Sequence, residues 1–377
     1  MALKRREPFE VDQLNQMQRY LGEEMIEDYH TGELTRRQML KRLLGICGSA
    51  AAASALLIAC GEGTATQPAA TAAAAPPTSA PEPTAAAEPT AGSAAPTAAE
   101  PTAAAEPTAG SAATTAAAPT AAAGPTAATT AAPAAGATSP LSVAADDPDV
   151  SASDVSFQSD TSISGYLARP KGDGSYPGVI VIHENRGLTD HIRDVARRLA
   201  KAGYVALAPD LASRAGGTTQ VGADQITGYF ANAKPEELVK DLNAGVDFLG
   251  QQSGVVPDKY GVVGFCFGGA YTLRLAAANP KMAAAVCYYG VTPQPADQMS
   301  ATNAAILGQY GGNDARVNGT IPALEQVMQA SGKTYEKQIY EGANHAFNND
   351  TGQNYNQEAA VAAWQRTLDW FGQYLKA

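Results

Sequence analysis

The sequence predicts an α/β fold: a mostly parallel central sheet flanked by helices, preceded by a disordered linker. From about residue 146 onward, short apolar runs alternate with amphipathic stretches, the pattern of strands joined by covering helices. At Tyr260–Ala270 the chain reads Y-G-V-V-G-F-C-F-G-G-A, an apolar run that passes through a glycine-flanked cysteine into a helical segment. Ahead of the alternating block, from after Cys60 to about Pro140, almost every residue is Ala, Thr, Pro, Gly, Ser or Glu. Such a stretch cannot bury a core.

These boundaries divide the 377 residues into four segments. Residues 1–34 are charged, and Leu14, Met17, Leu21, Met25 and Ile26 lie at near-helical spacing, which predicts a short helix. Residues 35–60 begin T-R-R-Q-M-L-K, continue as a weakly apolar run from Leu43 to Ala59, and end in L-I-A-C at Cys60. The paired Arg36 and Arg37 before an apolar run resemble a twin-arginine export signal, and L-I-A-C-G resembles a lipoprotein box with Cys60 as the acylated residue. The run is close to the shortest length that spans a bilayer, so an uncleaved anchor is the other form of attachment. Residues 61–145 carry an imperfect repeat, P-T-A-A-A-E-P-T-A-G-S, which has no large apolar position and therefore predicts a tether and not a solenoid. Its prolines favour extended geometry at ~3.1 Å per residue, a reach on the order of 100 Å. Residues 146–377 form the one foldable block, the size of a single large domain.

Within that block the predicted strands are 155–158 and 163–169, an antiparallel pair, then 177–183, 203–209, 259–265, 283–290, 304–310 and 334–340. The predicted helices are 190–202, 235–250, 267–278, 321–330 and 357–375. The last of these is marked on one face by Ala360, Ala363, Trp364, Thr367, Leu368, Phe371 and Leu375. Loops beyond the carboxyl ends of the strands should carry the site.

The formal net charge is -11, and the charges before Cys60 cancel, so the deficit belongs to the rest of the chain. An acidic body argues against nucleic acid or anionic lipid as the principal partner. Four cysteines occur: Cys47 and Cys60 in the leader, Cys266 at the glycine-flanked turn, and Cys287 in an apolar run. They form no C-x-x-C pair and suggest no disulfide framework.

The G-F-C-F-G-G stretch reads as a nucleophile elbow, a sharp strand-to-helix turn that needs small residues two before and two after its centre. Gly264 and Gly268 meet that need, and Gly269 adds slack. The following helix points its N-terminal amides at the sulfur, which favours thiolate and supports an oxyanion. A buried structural cysteine is the plain alternative for Cys266. A nucleophile there requires a base from a later strand end, and His345 is the one histidine that follows the elbow. The strand before it ends in G-G-N-D, so Asp314 is the candidate orienting acid, compatible with its service as a turn residue.

The stretches V-I-H-E-N-R-G-L at 181–188, G-F-C-F-G-G at 264–269, G-N-D at 312–314 and N-H-A-F at 344–347 together resemble the dienelactone hydrolases, cysteine members of the α/β-hydrolase fold. The resemblance covers roughly residues 155–375. It implies a triad of Cys266, Asp314 and His345, an oxyanion hole from the backbone amides of Phe267 and Asn185, and a carboxylate, Glu184, that helps take the thiol proton. It also implies Arg214 as one of two arginines holding a substrate carboxylate. The second falls where this chain has Asn349, a departure that bears on the substrate; Arg186 could compensate if it points inward. His183 and Arg193 read as structural or surface residues.

The expected protein is a hydrolase of a small ester or lactone that works through a cysteinyl acyl-enzyme, exported and tethered to the cell membrane through its N-terminal segment. No metal or organic cofactor and no nucleic-acid partner is expected. A monomer is the default expectation for the assembly, which no motif encodes. Two rival readings are a non-catalytic lipoprotein that uses the fold as a binding scaffold, and a thiol redox or sensing protein acting through Cys266.

Overall fold

The computed structural model describes residues 11–61 and 139–376. The expected tether lies outside the described residues over 62–138. Among the described residues, three α-helices precede it: α1 (Gln16–His30), α2 (Arg36–Cys47) and α3 (Ala50–Ala59). Capping explains where they start. Asn15 and Gln18 form a capping box on α1, and Thr35 and Gln38 form one on α2, so the Arg36-Arg37 pair occupies the exposed first turn of α2. The apolar run from Leu43 does not form one rod. Gly48 takes a left-handed conformation at φ 70° and closes α2, and Ser49 accepts the Ala52 amide to start α3. The two helices meet at 113°, and no single helix among the described residues is long and apolar enough to cross a membrane.

The body follows as β1 (Val150–Gln158), β2 (Ser162–Pro170), β3 (Tyr176–Ile182), α4 (Asp190–Lys201), β4 (Val205–Pro209), α5 (Thr218–Val221), α6 (Ile226–Asn232) and α7 (Pro235–Gly250). It continues with β5 (Val255–Phe265), α8 (Phe267–Ala278), β6 (Met282–Tyr288), β7 (Ala305–Gly311), α9 (Ala315–Asn318), α10 (Ile321–Ala330), β8 (Tyr335–Tyr340) and α11 (Gln357–Leu375). The eight strands form one sheet in the order β1-β2-β4-β3-β5-β6-β7-β8. β1–β2 and β2–β4 pair antiparallel, and every later pair is parallel. This is the α/β-hydrolase fold.

Each strand and helix read within the foldable block is present: α7, α8, α10 and α11 have the expected ends, and the strands and α4 have shifted ones. β3, β4 and the Tyr260–Phe265 half of β5 are near-continuous buried runs because helices cover both faces. The short α6 was not legible, since seven residues interrupted by Gly228 carry too little periodicity. The body also begins earlier than residue 146. Val143 is buried, its amide donates to Asp194, and Ser139 hydrogen-bonds Tyr355.

The leader helices pack on this body. Gly228 of α6 lies so close to α2 that a Cβ there would stand 3.0 Å from the Gly45 carbonyl carbon. Asn232 donates to the carbonyls of Gly45 and Ile46, Gln16 joins Thr292 and Gln294, and Met17, Leu21, Met25, Leu43, Ile46 and Leu56 belong to the common core. The segment expected as a charged helix followed by an export signal or membrane anchor is therefore seated against the domain in this structure.

Candidate active site

Cys266 stands at the end of β5 and caps α8, with φ 55° and ψ −118°. A non-glycine residue rarely occupies that region, and the surroundings hold it there. The Cys266 amide donates to Tyr288 O, and its carbonyl accepts from Ala270. A Cβ at Gly264 would fall 2.2 Å from Gly268 O, and one at Gly268 would fall 2.3 Å from Ile182 O. Gly269 does more than add slack: a Cβ there would meet Tyr288 O at 2.5 Å, so the elbow helix touches β6 through bare backbone.

Asp314 follows β7, and its Oδ1 accepts the Val317 amide as the cap of α9. His345 lies in the loop after β8. The two loops are joined by Asn313, whose amide donates to Ala343 O and whose side chain donates to Asn344 Oδ1. Gly311 permits this approach, since a Cβ there would be 2.6 Å from two carbonyl oxygens of the histidine loop. Asp314 Oδ2 and His345 Nδ1 are 2.5 Å apart, and both side chains are buried. Farther along the loop, Asp350 is held by His191 at 2.8 Å and Arg198 at 2.5 Å, which anchors the base-bearing segment to α4.

Electrostatics in the closed cluster follow from burial and two carboxylates. Burial alone would lower the His345 pKa, but the charge and hydrogen bond of Asp314 reverse this and raise it well above 6.5. Asp314 resists its own burial through the same pair and is held below the ordinary carboxylate value. The Cys266 thiol is pushed up to about 11, first by burial and then by Glu24. At neutral pH it is a thiol, not a thiolate.

Glu24 was invisible as a site residue in the sequence. It comes from α1, and the Cys266 thiol donates to its two oxygens at 3.3 and 3.5 Å. Asn185 Nδ2 donates to Glu24 at 2.7 Å, and Tyr20 of the same helix donates to Cys266 Sγ at 3.4 Å. Ligand atoms of Glu24, Cys266 and His345 all lie within 4.8 Å of one another. This sulfur, nitrogen and oxygen set could hold a metal ion, at the cost of the nucleophile.

Glu184 lines the same cavity, but its hydrogen bonds run to Asn349 at 2.6 Å and Tyr289 at 3.5 Å. The contact with the thiol expected of Glu184 is made here by Glu24. Asn349 thus serves as a partner of Glu184, and Arg186 does border the cavity, paired with Glu33 at 3.4 Å. His183 is structural, as expected: it is fully buried, and its Nε2 accepts the Leu211 amide.

Arg214 does not join the site. Its guanidinium grips the fully buried Asp241 with two 2.8 Å hydrogen bonds and also pairs with Asp160. It borders a different cavity, beside Tyr229 and Glu237. The expectation of a substrate-binding arginine is overturned because a buried carboxylate in α7 claims the side chain first. Arg214→Ala should therefore leave KM for an ester unchanged while costing ~3 kcal/mol of stability, as it strands Asp241. A raised KM with an unchanged denaturant midpoint would refute this.

The cavity over Cys266 measures only about 40 Å³, room for water and far below the ~300 Å³ of a small-ligand site. Its wall from the leader is acidic: Glu24, Glu27, Asp28 and Glu33. Burial first, then Glu24 and Glu33, push the Asp28 carboxyl up to about 7, against relief from Arg186 and His345. A carboxyl with a raised pKa binds its proton more tightly when docked, so the docked state loses stability as pH rises from about 4 to about 7 and changes little above that. Asp28→Asn should raise the melting temperature more at pH 8 than at pH 5. An equal gain at both values would show that Asp28 does not titrate in this range.

Comparisons with known proteins agree with this architecture. Residues 163–375 match the dienelactone hydrolase family. A protein of Salmonella typhimurium, provisionally named a carboxymethylenebutenolidase, is 35% identical over 251 residues, which covers 63% of this chain and 92% of its own length. One from Methylorubrum extorquens with the same provisional name is 37% identical over 224 residues, covering 56% of this chain and 77% of its own. A crystal structure from Klebsiella pneumoniae, provisionally titled a dienelactone hydrolase, superposes with a TM-score of 0.56 at 35% identity and covers 60% of this chain and 99% of that one.

Proposed function

The chain belongs to the dienelactone hydrolase family, and on that premise we propose that it cleaves a small ester or lactone through a Cys266-His345-Asp314 triad and a cysteinyl acyl-enzyme. That it is a hydrolase resembling dienelactone hydrolase rests on the relatives. The observation that carries the finer reading is the strained Cys266 at the mouth of α8 with the buried Asp314–His345 pair beside it.

In this reading the thiol proton passes to an imidazole oriented by Asp314, and sulfur attacks the carbonyl carbon. The backbone amides of Phe267 and Asn185 hold the oxyanion. His345 then protonates the leaving oxygen, and afterwards takes a proton from the water that cleaves the thioester. Glu184 supports deprotonation of the thiol once the cavity opens. With Arg214 committed to Asp241 and Asn349 to Glu184, Arg186 is the cation left at the cavity for a substrate carboxylate. A neutral ester, or a lactone with one anionic group at the mouth, suits this arrangement.

The test, made after scission between Gly61 and Ser139, is turnover of a neutral aryl acetate and of a dienelactone, with a search for an acetyl adduct on the Cys266 peptide by mass spectrometry after a rapid acid quench. Turnover without a Cys266 adduct would count against the covalent route. No cleavage of either substrate would bring forward a binding or thiol-sensing role.

We also propose that the chain is exported and tethered through an acylated Cys60. Supporting this are the exposed Arg36-Arg37 pair and the exposure of Cys60 just beyond the end of α3. Radiolabelled palmitate should enter the protein in cells and be lost in Cys60→Ala; equal labelling of both would remove Cys60 as the attachment point.

A further inference from the structure

The leader occupies the place where substrate must enter. α1 sets Glu24 against the nucleophile, with the carboxylate bonded by Asn185 and by the thiol, and with Nε2 of His345 4.0 Å away. That Nε2 has no hydrogen-bond partner among the described residues. A carboxylate next to the attacking sulfur and the base resembles the acid product of ester hydrolysis, held by the groups that would hold it.

Around this contact the docking is specific. Arg316 stacks over the Tyr20 ring at 4.5 Å, donates to the Tyr20 carbonyl and pairs with Glu27. Arg186 pairs with Glu33, and Lys41 of α2 pairs with Asp224 at 2.6 Å. Of the four exposed large apolar side chains among the described residues, three lie on the leader: Leu40 and Leu44 on α2 and Ile58 on α3.

We propose that the mouth of the active site is the binding site for the chain's own residues 16–59, with Glu24 as a product-like plug, and that scission between Ala59 and Cys60 converts a latent precursor into the open enzyme. The proposal rests on the hydrolase reading above and, for the place of the cut, on the lipoprotein reading of Cys60. The step is hydrolysis by a signal endopeptidase: water adds across the Ala59–Cys60 peptide bond, leaving a carboxylate on Ala59 and an amine on Cys60. Every residue that plugs the site lies before the cut. While the chain is intact, the leader acts at an intramolecular effective concentration; once cut, it binds as a separate peptide and is lost on dilution. Departure of Glu24 also removes a charge that disfavours thiolate at Cys266.

The experiment uses the full chain with a site-specific protease sequence inserted after Gly61. Two rates are measured before cutting and after cutting with dilution: alkylation of Cys266 by iodoacetamide, followed on its own peptide, and turnover of a neutral aryl acetate. Both should rise at least tenfold, and a synthetic peptide of residues 11–34 should reverse the rise. As a second arm, Glu27→Arg with Glu33→Arg, which sets like charges against Arg316 and Arg186, should raise both rates in the uncut chain. Faster alkylation with no ester turnover would uphold the plug and reject the hydrolase reading. Equal rates before and after cutting, with no response to the charge reversals, would overturn the plug. A fall in turnover on cutting would overturn it too, by making the leader part of the working enzyme.

Discussion

Cys266→Ala, assayed after scission between Gly61 and Ser139, should lose ester turnover by a factor on the order of 10⁵ or more, as expected for removal of an attacking nucleophile. The loss should fall on kcat, since the sulfur contributes through a bond formed during reaction. Combining it with His345→Gln should cost little more than either alone, because a nucleophile and its base act as one unit and their losses are not additive. Multiplied losses in the double variant would mean that the two residues serve separate steps. The protein should still fold: the strain at φ 55° is imposed by Gly264, Gly268 and Gly269, which permit close backbone contacts, and alanine at 266 leaves those contacts in place.

The second large effect is expected at Asp314. Asp314→Asn keeps a side-chain oxygen to accept the Val317 amide, so α9 retains its cap. It removes the charge that fixes and stabilises the imidazolium, and kcat should drop by ~10⁴. The pH profile separates this from a loss of structure. Asp314 raises the His345 pKa against burial, so its removal lets that pKa fall. The acidic limb of kcat/KM, where His345 becomes the neutral base, should move to lower pH. A limb that stays in place would mean that another group controls the titration.

Most of the body was legible because its elements are long and strongly patterned. β3, β4 and β5 read as buried strands from Val179–Ile182, Val205–Ala208 and Val262–Phe265, and α11 reads from its one-sided spacing of Ala363, Trp364, Thr367 and Phe371. Cys266, Asp314 and His345 were legible for a related reason. Each must sit where a parallel strand ends, and the sequence offers one cysteine elbow, one glycine turn with a matching aspartate and one later histidine.

Arg214 shows the limit of transfer by position. Its place in the sequence matches a substrate-binding arginine, but Asp241, 27 residues later on α7, takes the guanidinium. Glu184 shows a similar limit. Its neighbourhood was right, yet which carboxylate reaches the thiol depended on a helix 161 residues away from Asn185, where Glu24 is bonded. The leader held one local signal that hydropathy hides. Gly48-Ser49 is a helix stop followed by a helix start, and it divides an apolar run that length alone suggests is continuous.

The sequence by itself therefore determined the α/β body, the order of its strands along the chain, the elbow and the residues able to serve as its base and acid. These follow from local rules: side-chain periodicity, glycine at close backbone contacts, and the few chemically suitable residues at strand ends. Only the tertiary structure decided that α1 enters the site, that Glu24 meets Cys266 and that Arg214 serves Asp241. Those outcomes are competitions among charges far apart in sequence, settled by which groups packing brings together once water is excluded.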